Sequence, residues 1–218
     1  MVPPEGQFAM MARDPSTRLA TPSAAVVGVV LAGGESRRMG TDKAVLPWRD
    51  GTLTSFAQAR LAAVCQHVVV CDRGRQVLFG TRSVPDGPGA GPAAGLLGAA
   101  AVFPRQPLLV LACDLPGVPA ALLQTLWDHA AGADLVVPVS PRGPEPLVGF
   151  YSPAALAALA RAVQNGRFAL YPLLEDPALR VVLLGGEALA RFGPSGELFR
   201  NVNTAEDYDR VSPSGSAA

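Results

Sequence analysis

The segment Val29-Val30-Leu31-Ala32-Gly33-Gly34-Glu35-Ser36-Arg37-Arg38-Met39-Gly40-Thr41-Asp42-Lys43 carries the densest chemistry in the chain. It leaves an apolar run and passes through a stretch bracketed by glycines. Glycine lets the backbone approach a phosphate closely and turn its N–H groups toward it. Arg37, Arg38 and Lys43 add the positive charge that a triphosphate needs. The segment is not a Walker A loop, because Thr41 rather than Lys follows Gly40. Glycines alone would also suit a structural turn with solvated arginines; strand, glycines and lysine together favour a polyphosphate site. Lys43 is the only lysine among eighteen basic residues.

A second candidate is Asp114, which follows the apolar run Leu108–Ala112 and Cys113. A carboxylate at a strand's carboxyl end suits Mg²⁺, which prefers hard oxygen ligands and often takes only one or two carboxylates beside substrate phosphates. An N-cap role is the alternative, but Pro116 and Pro119 place the next helix later. Cys113 reads as a small buried apolar residue, since no suitably placed histidine recommends it as a nucleophile. His67 and His129 lie outside every motif.

These residues need a scaffold, and the hydrophobic pattern supplies one. Val26–Ala32, Val68–Cys71, Leu108–Ala112 and Leu135–Val139 are short apolar runs without alternation, as expected of strands buried on both faces. Leu53–Cys65, Pro92–Phe103 and Pro119–Ala131 have helical length and spacing, with Pro92 and Pro119 suited to first turns. Alternating strands and helices predict an α/β fold: three layers, α/β/α, Rossmann-like, around a mostly parallel sheet. In such sheets ligands gather at the carboxyl ends of the strands.

The bulk properties agree. The 218 residues suit one domain, expected over 25–211, between polar tails at 1–24 and 212–218; Met10 and Met11 offer alternative starts. Eighteen acidic residues balance eighteen basic ones, so no global field favours nucleic acid or a membrane. No apolar run reaches the roughly 18 residues of a membrane helix, and the N-terminus lacks a secretory pattern. Three unpatterned cysteines suit a reducing cytoplasm.

The segment Leu31–Lys43 (LAGG-x-S-x-RMG-x-DK) resembles the signature of the molybdenum cofactor guanylyltransferases of MobA type and their cytidylyl- and sugar-phosphate-transferring relatives. Further blocks resemble the same family in order: Asp86 with Gly91-Pro92-Ala93-Ala94-Gly95, then Ala112-Cys113-Asp114-Leu115-Pro116. Glu145-Pro146-Leu147 with Phe150-Tyr151 and Phe199-Arg200-Asn201-Val202-Asn203-Thr204-Ala205-Glu206-Asp207 complete the set.

The resemblance implies transfer of GMP from GTP to the phosphate of molybdopterin, with Mg²⁺ on Asp114 and Lys43 and Arg38 assisting. Leu31, Ala32, Gly33 and Gly34 would lie along the nucleotide, with Cys71 and Asp86 near the base. A carboxylate at Asp86 can accept from the N1–H and N2–H₂ edge of guanine; capping the Gly-Pro loop is its other reading. Cys71 stands where the family often has Asn, and Asp72 is the alternative acceptor, though on the opposite face of a strand. Gly95, Arg167, Asn201 and Asn203 would serve the second substrate, with Thr204 and Asp207 as a capping box before a helix. A molybdoenzyme or its chaperone would receive the product. Three alternatives stay open: CMP transfer to molybdopterin, transfer to a sugar or polyol phosphate, and a non-catalytic nucleotide-binding module.

Overall fold

The computed structural model describes residues 22–34, 42–202 and 207–208. Its strands are β1 (Ser23–Leu31), β2 (Pro47–Trp48), β3 (Gly51–Thr52), β4 (Cys65–Cys71), β5 (Arg82–Val84), β6 (Leu108–Ala112), β7 (Leu135–Ser140), β8 (Gly143–Pro144), β9 (Val148–Tyr151) and β10 (Val181–Leu184). The helices are α1 (Leu53–Ala62), α2 (Gly91–Val102), α3 (Ala120–Asp128), α4 (Pro153–Gln164), α5 (Glu187–Ala190) and α6 (Ser195–Leu198), with short 3₁₀ turns at Lys43–Val45 and Tyr171–Glu175. Among the described residues no helix is long and apolar enough to cross a membrane.

The main sheet runs β10-β7-β9-β6-β1-β4-β5, with β8 paired to β7. β1 is parallel to β4 and β6, β4 to β5, and β7 to β10; β9 runs antiparallel between β6 and β7, and β8 is antiparallel to β7. Side chains alternate across each strand, so the apolar runs divide between two cores. Val26, Val30, Leu109 and Leu111 face α1 and α3, where they meet Leu61, Leu122 and Leu126. Val27, Val29, Leu108 and Val110 face α2 and α4, where they meet Leu96 and Leu159. Both faces are covered, which is why these strands are apolar at every position. The three-layer expectation holds.

Differences from the sequence reading lie at element ends, in the short β2–β3 pair, which the sequence did not mark, and in the later elements. β1 begins at Ser23, inside the segment read as a tail, because the Ser23 N–H donates to the Val64 carbonyl at 2.7 Å. α1 stops at Ala62 instead of Cys65, and Cys65 opens β4 by pairing with Ser23. Pro119 is the N-cap of α3 rather than a first-turn residue, and Pro92 does occupy the first turn of α2. The antiparallel β9 and the parallel β10 had no clear signature, since a four-residue apolar run does not reveal strand direction. α4 was legible in principle: Ser152 caps it, accepting from the Ala154 and Ala155 N–H groups, and Pro153 begins it.

α2 approaches the β5–α2 connection closely enough to need two glycines. A Cβ at Gly98 would lie 2.2 Å from the Pro85 carbonyl oxygen, and one at Gly87 would lie 2.6 Å from the Gly98 nitrogen. The Gly87 N–H donates to the Ala94 carbonyl at 2.8 Å, which locks the connection against the helix. Because backbone rather than a flexible side chain would have to move, Gly98→Ala should cost about 1–3 kcal/mol of stability. Chemical denaturation checks this; a variant within about 0.5 kcal/mol of the parent would show that the contact can relax.

Candidate active site

The register of the parallel strands sets one level across the sheet. Leu31 is paired with Cys71 on one side and Ala112 on the other, and Cys71 is paired with Val84. Two residues beyond this row stand Gly33, Arg73, Asp86 and Asp114. All four line a single cavity of about 460 Å³, together with Leu31, Ala32, Gly34, Lys43, Cys71 and Gly95. The last rungs hold the strand exits together: the Ala32 N–H donates to the Cys71 carbonyl at 2.9 Å, and the Cys113 N–H to the Leu31 carbonyl at 3.1 Å. A cavity at the carboxyl ends of parallel strands is where this class of sheet binds ligands.

Lys43 enters the cavity from the first residue of a 3₁₀ turn. Asp42 caps that turn by accepting from the Ala44 N–H at 3.1 Å. Fully buried Thr54 on α1 fixes the turn from beneath, donating from Oγ1 to the Ala44 carbonyl at 2.6 Å. Lys43 Nζ lies 3.9 Å from Asp114 Oδ2. Enclosure is the main cause that holds the Asp114 carboxyl above the ordinary carboxylate range, and the Lys43 charge opposes it. The Val202 N–H donates to the Asp114 carbonyl at 2.9 Å, so the segment carrying Asn201 is fastened beside the carboxylate.

Cys71, Arg73 and Asp86 line the cavity from the β4 and β5 ends. Arg73 Nε lies 3.4 Å from Asp86 Oδ2. Arg73 adopts φ +63°, a left-handed conformation that costs a non-glycine residue roughly 1 kcal/mol and so marks a place where the surroundings dictate the backbone. Cys71 is buried and donates from Sγ to the Gly95 carbonyl at 3.2 Å. Burial, then the nearby Asp86 and Asp72 charges, push its thiol up to about 12. Cys113 is likewise pushed up to about 12, mainly by burial, which removes it as a nucleophile. The first turn of α2 also borders the cavity through Ala90, Gly91 and Pro92, and no side chain caps it. Its N–H groups are suited to a ligand oxygen.

The structure therefore brings together Leu31, Ala32, Gly33, Gly34, Lys43, Cys71, Asp86, Gly95 and Asp114 as cavity residues. Gly95, read from sequence as a second-substrate residue, sits between Leu31 and Cys71; a Cβ there would lie 3.0 Å from Leu31 Cδ2. Asp72 is not a spare acceptor. It is fully buried and accepts from the Gly74 N–H, the Val77 N–H and the Ser83 hydroxyl, shaping the connection after β4. Arg167 is exposed in the turn after α4, outside the cavity wall, where its N–H donates to the Ala162 carbonyl. Asn201 is half-buried next to the cavity without lining it. Arg37, Arg38, Asn203 and Thr204 lie outside the described residues. Sequence reasoning missed Arg73: nothing in a lone arginine beyond a strand marks it, whereas the register does.

A cavity over parallel strand ends, with Lys43 facing Asp114, fits a nucleotidyltransferase of the three-layer α/β kind. The MobA-like NTP transferase domain matches residues 28–178, and the chain belongs to that family. A probable molybdenum cofactor guanylyltransferase of Nostoc sp. is 30% identical over 88% of this chain and 96% of its own length. One from Natronomonas pharaonis is 32% identical over 84% of this chain and 95% of its own length. The crystal structure of the molybdopterin-guanine dinucleotide biosynthesis protein A of Archaeoglobus fulgidus superposes with a TM-score of 0.72 at 27% identity, covering 85% of this chain and 96% of that one.

The raised pKa of Asp114 has a consequence for stability. For an acid raised in the folded state, the stabilisation relative to the ionised form is complete below the unfolded value of about 4 and is lost as pH rises through the folded value. Ionised Asp114 thus works against the fold at neutral pH. Asp114→Asn should melt above the parent at pH 7 without divalent ions, with the gap closing toward about pH 4. Melting curves at both pH values check this; an Asn variant less stable than the parent at pH 7 contradicts it.

Proposed function

We propose that the protein transfers GMP from GTP to the terminal phosphate of molybdopterin, giving molybdopterin guanine dinucleotide and pyrophosphate, with Mg²⁺ and in the cytoplasm. The observation that carries the reading is the single cavity in which Lys43 faces Asp114 at 3.9 Å and Arg73 holds Asp86 at 3.4 Å. One pair suits the polyphosphate and the other suits the base. The names of the relatives support the choice of substrates.

An oxygen of the molybdopterin phosphate attacks the α-phosphorus of GTP. A new P–O bond forms, the α–β bridging P–O bond breaks, and its electron pair leaves on pyrophosphate. The attacker is already anionic, so no general base is needed, in keeping with a cavity that holds no histidine. The protein's task is positioning and charge neutralisation. Lys43 offsets charge that builds on the departing pyrophosphate, and the Ala32–Gly34 backbone lies against the nucleotide. Asp86, oriented by Arg73, accepts from the N1–H and N2–H₂ edge of guanine, a pair that adenine lacks. Asn201, with Asn203, serves the second substrate.

Asp114 would hold the Mg²⁺. Among the described residues no three of His, Cys, Asp and Glu gather to form an ion cage. A single hard carboxylate fits Mg²⁺, which takes its remaining ligands from phosphate and water. When bound, the ion neutralises the triphosphate and makes the α-phosphorus more electrophilic.

One observation favours a second reading. Cys71 spends its only donor on the Gly95 carbonyl and offers the base no amide, so CMP transfer from CTP competes with GMP transfer. Turnover with molybdopterin and GTP, CTP or ATP separates them. GTP should be preferred, and Asp86→Ala should lower that preference over ATP by about 1–3 kcal/mol through unpaired guanine donors. Faster turnover with CTP would establish the second reading, and turnover with neither would refute both.

The lone lysine supplies a further test. An ammonium is a compact point charge that can sit between oxygens of two phosphates, whereas a guanidinium is wider and planar. Lys43→Arg should lower kcat/KM at least about tenfold, mainly through kcat, with little change in stability. Parent-like kinetics would mean that the position asks only for positive charge.

A further inference from the structure

Arg75 lies outside the cavity wall and outside every motif read from the sequence, yet each nitrogen of its guanidinium has a separate partner. Nη2 donates to the Ala32 carbonyl at 2.8 Å, Nε donates to the Asp72 carbonyl at 2.9 Å, and Nη1 binds the Asp42 carboxylate. Ala32 is where the chain leaves β1 for the glycine-rich segment, and Asp42 is where it returns, one residue before Lys43. We infer that Arg75 is a positioning residue for Lys43: it closes the two ends of the glycine-rich segment onto the β4–β5 connection, and so sets where the lysine stands.

Two physical effects are combined in this contact. The first is geometric. The planar guanidinium presents donors in a fixed fork, so its three partners must hold one mutual arrangement for all the bonds to form. Through Ala32 that arrangement is tied to the last rung of the sheet, and through Asp42 to the cap of the 3₁₀ turn that carries Lys43. The second is electrostatic. Asp42 is next to Lys43 in sequence and would draw its ammonium away from an anionic ligand. Arg75 occupies that carboxylate, so the positive charge of Lys43 stays directed at Asp114 and the cavity.

Because Lys43 is the only lysine, reductive methylation with ¹³C-formaldehyde labels one side-chain amine besides the N-terminus. In the parent, Asp114→Asn should move the Lys43 signal, since the two groups are neighbours. In an Arg75→Gln background that response should fall by at least about half, because the two positions are coupled through the fork. An equal response in both backgrounds overturns the proposal. This arm needs no nucleotide.

The second arm rests on the proposed function and uses calorimetric titration of Mg²⁺·GTP. Arg75→Gln should weaken binding about fivefold with Lys43 present and less than about twofold in a Lys43→Ala background, because one residue acts through the other. Losses that simply add would place Arg75 against the nucleotide or in general stability, contrary to the proposal. Arg75→Lys keeps the charge but not the fork, so it should fail to restore affinity; full restoration would overturn the geometric half. Absence of GTP binding in the parent would count against the guanylyl reading, and the amine signal would still decide the role of Arg75.

Discussion

β1 is hydrogen-bonded on both sides by parallel strands, and its register with β4 and β6 is the constraint on which the site depends. Parallel pairing points the carboxyl ends of all the partner strands the same way. The row Leu31, Cys71, Ala112 and Val84 then levels those ends, so that the connections emerging from four strands converge on one cavity. A slip of one residue in any pairing would turn its side chains to the other face of the sheet. Burial on both faces prevents that slip, because each strand has α1 and α3 on one side and α2 and α4 on the other. The same apolar packing that holds the fold together thus delivers Gly33, Arg73, Asp86 and Asp114 to one place.

The electrostatics of the cavity follow a simple pattern. Two carboxylates line the cavity and a third, Asp42, precedes Lys43 outside it, and each stands beside a cation: Asp42 with Arg75, Asp86 with Arg73, and Asp114 with Lys43. The three pairs have different character. Arg75 makes a forked, multi-partner contact that organises backbone. Arg73 reaches its partner through one nitrogen and orients a group that can still accept. Lys43 makes the longest of the three pairs, near the limit of an ion pair. Asp114 is held where its charge is costly to the protein alone, a common feature of groups kept for a ligand rather than for stability.

Close packing completes the cavity. Gly87 and Gly98 let α2 press on the connection that carries Asp86, and Gly95 gives room to Leu31 and Cys71. Asp72 points away from the cavity and is saturated by hydrogen bonds from the β4–β5 connection, which fixes the backbone from which Arg73 and Arg75 project. A buried acid here serves shape, and its two arginine neighbours serve charge.

The sequence by itself determined the layers and most of the site's cast. Unbroken apolar runs as short as Leu108–Ala112 suit strands covered on both faces, and their alternation with α1, α2 and α3 points to crossovers that keep those strands parallel. Glycines, a lone lysine and an acid after a strand marked Gly33, Gly34, Lys43 and Asp114 through their spacing relative to a strand end, whereas Leu31, Ala32, Cys71 and Asp86 came from the family resemblance. Only the tertiary structure decided the rest. Arg73 and Arg75 lack a local signature, since their meaning lies in partners that are distant along the chain: Asp86, Ala32 and Asp42. Asp72 was the alternative acceptor, expected on the opposite face of the strand, and only the structure supplied the three donors that hold it there. Gly95 stands in the cavity wall because α2 packs beside Cys71, and Arg167 lies in an exposed turn outside it. Strand and helix follow from neighbours in sequence, whereas the pairing of charges follows from register and packing, which no single stretch of residues contains.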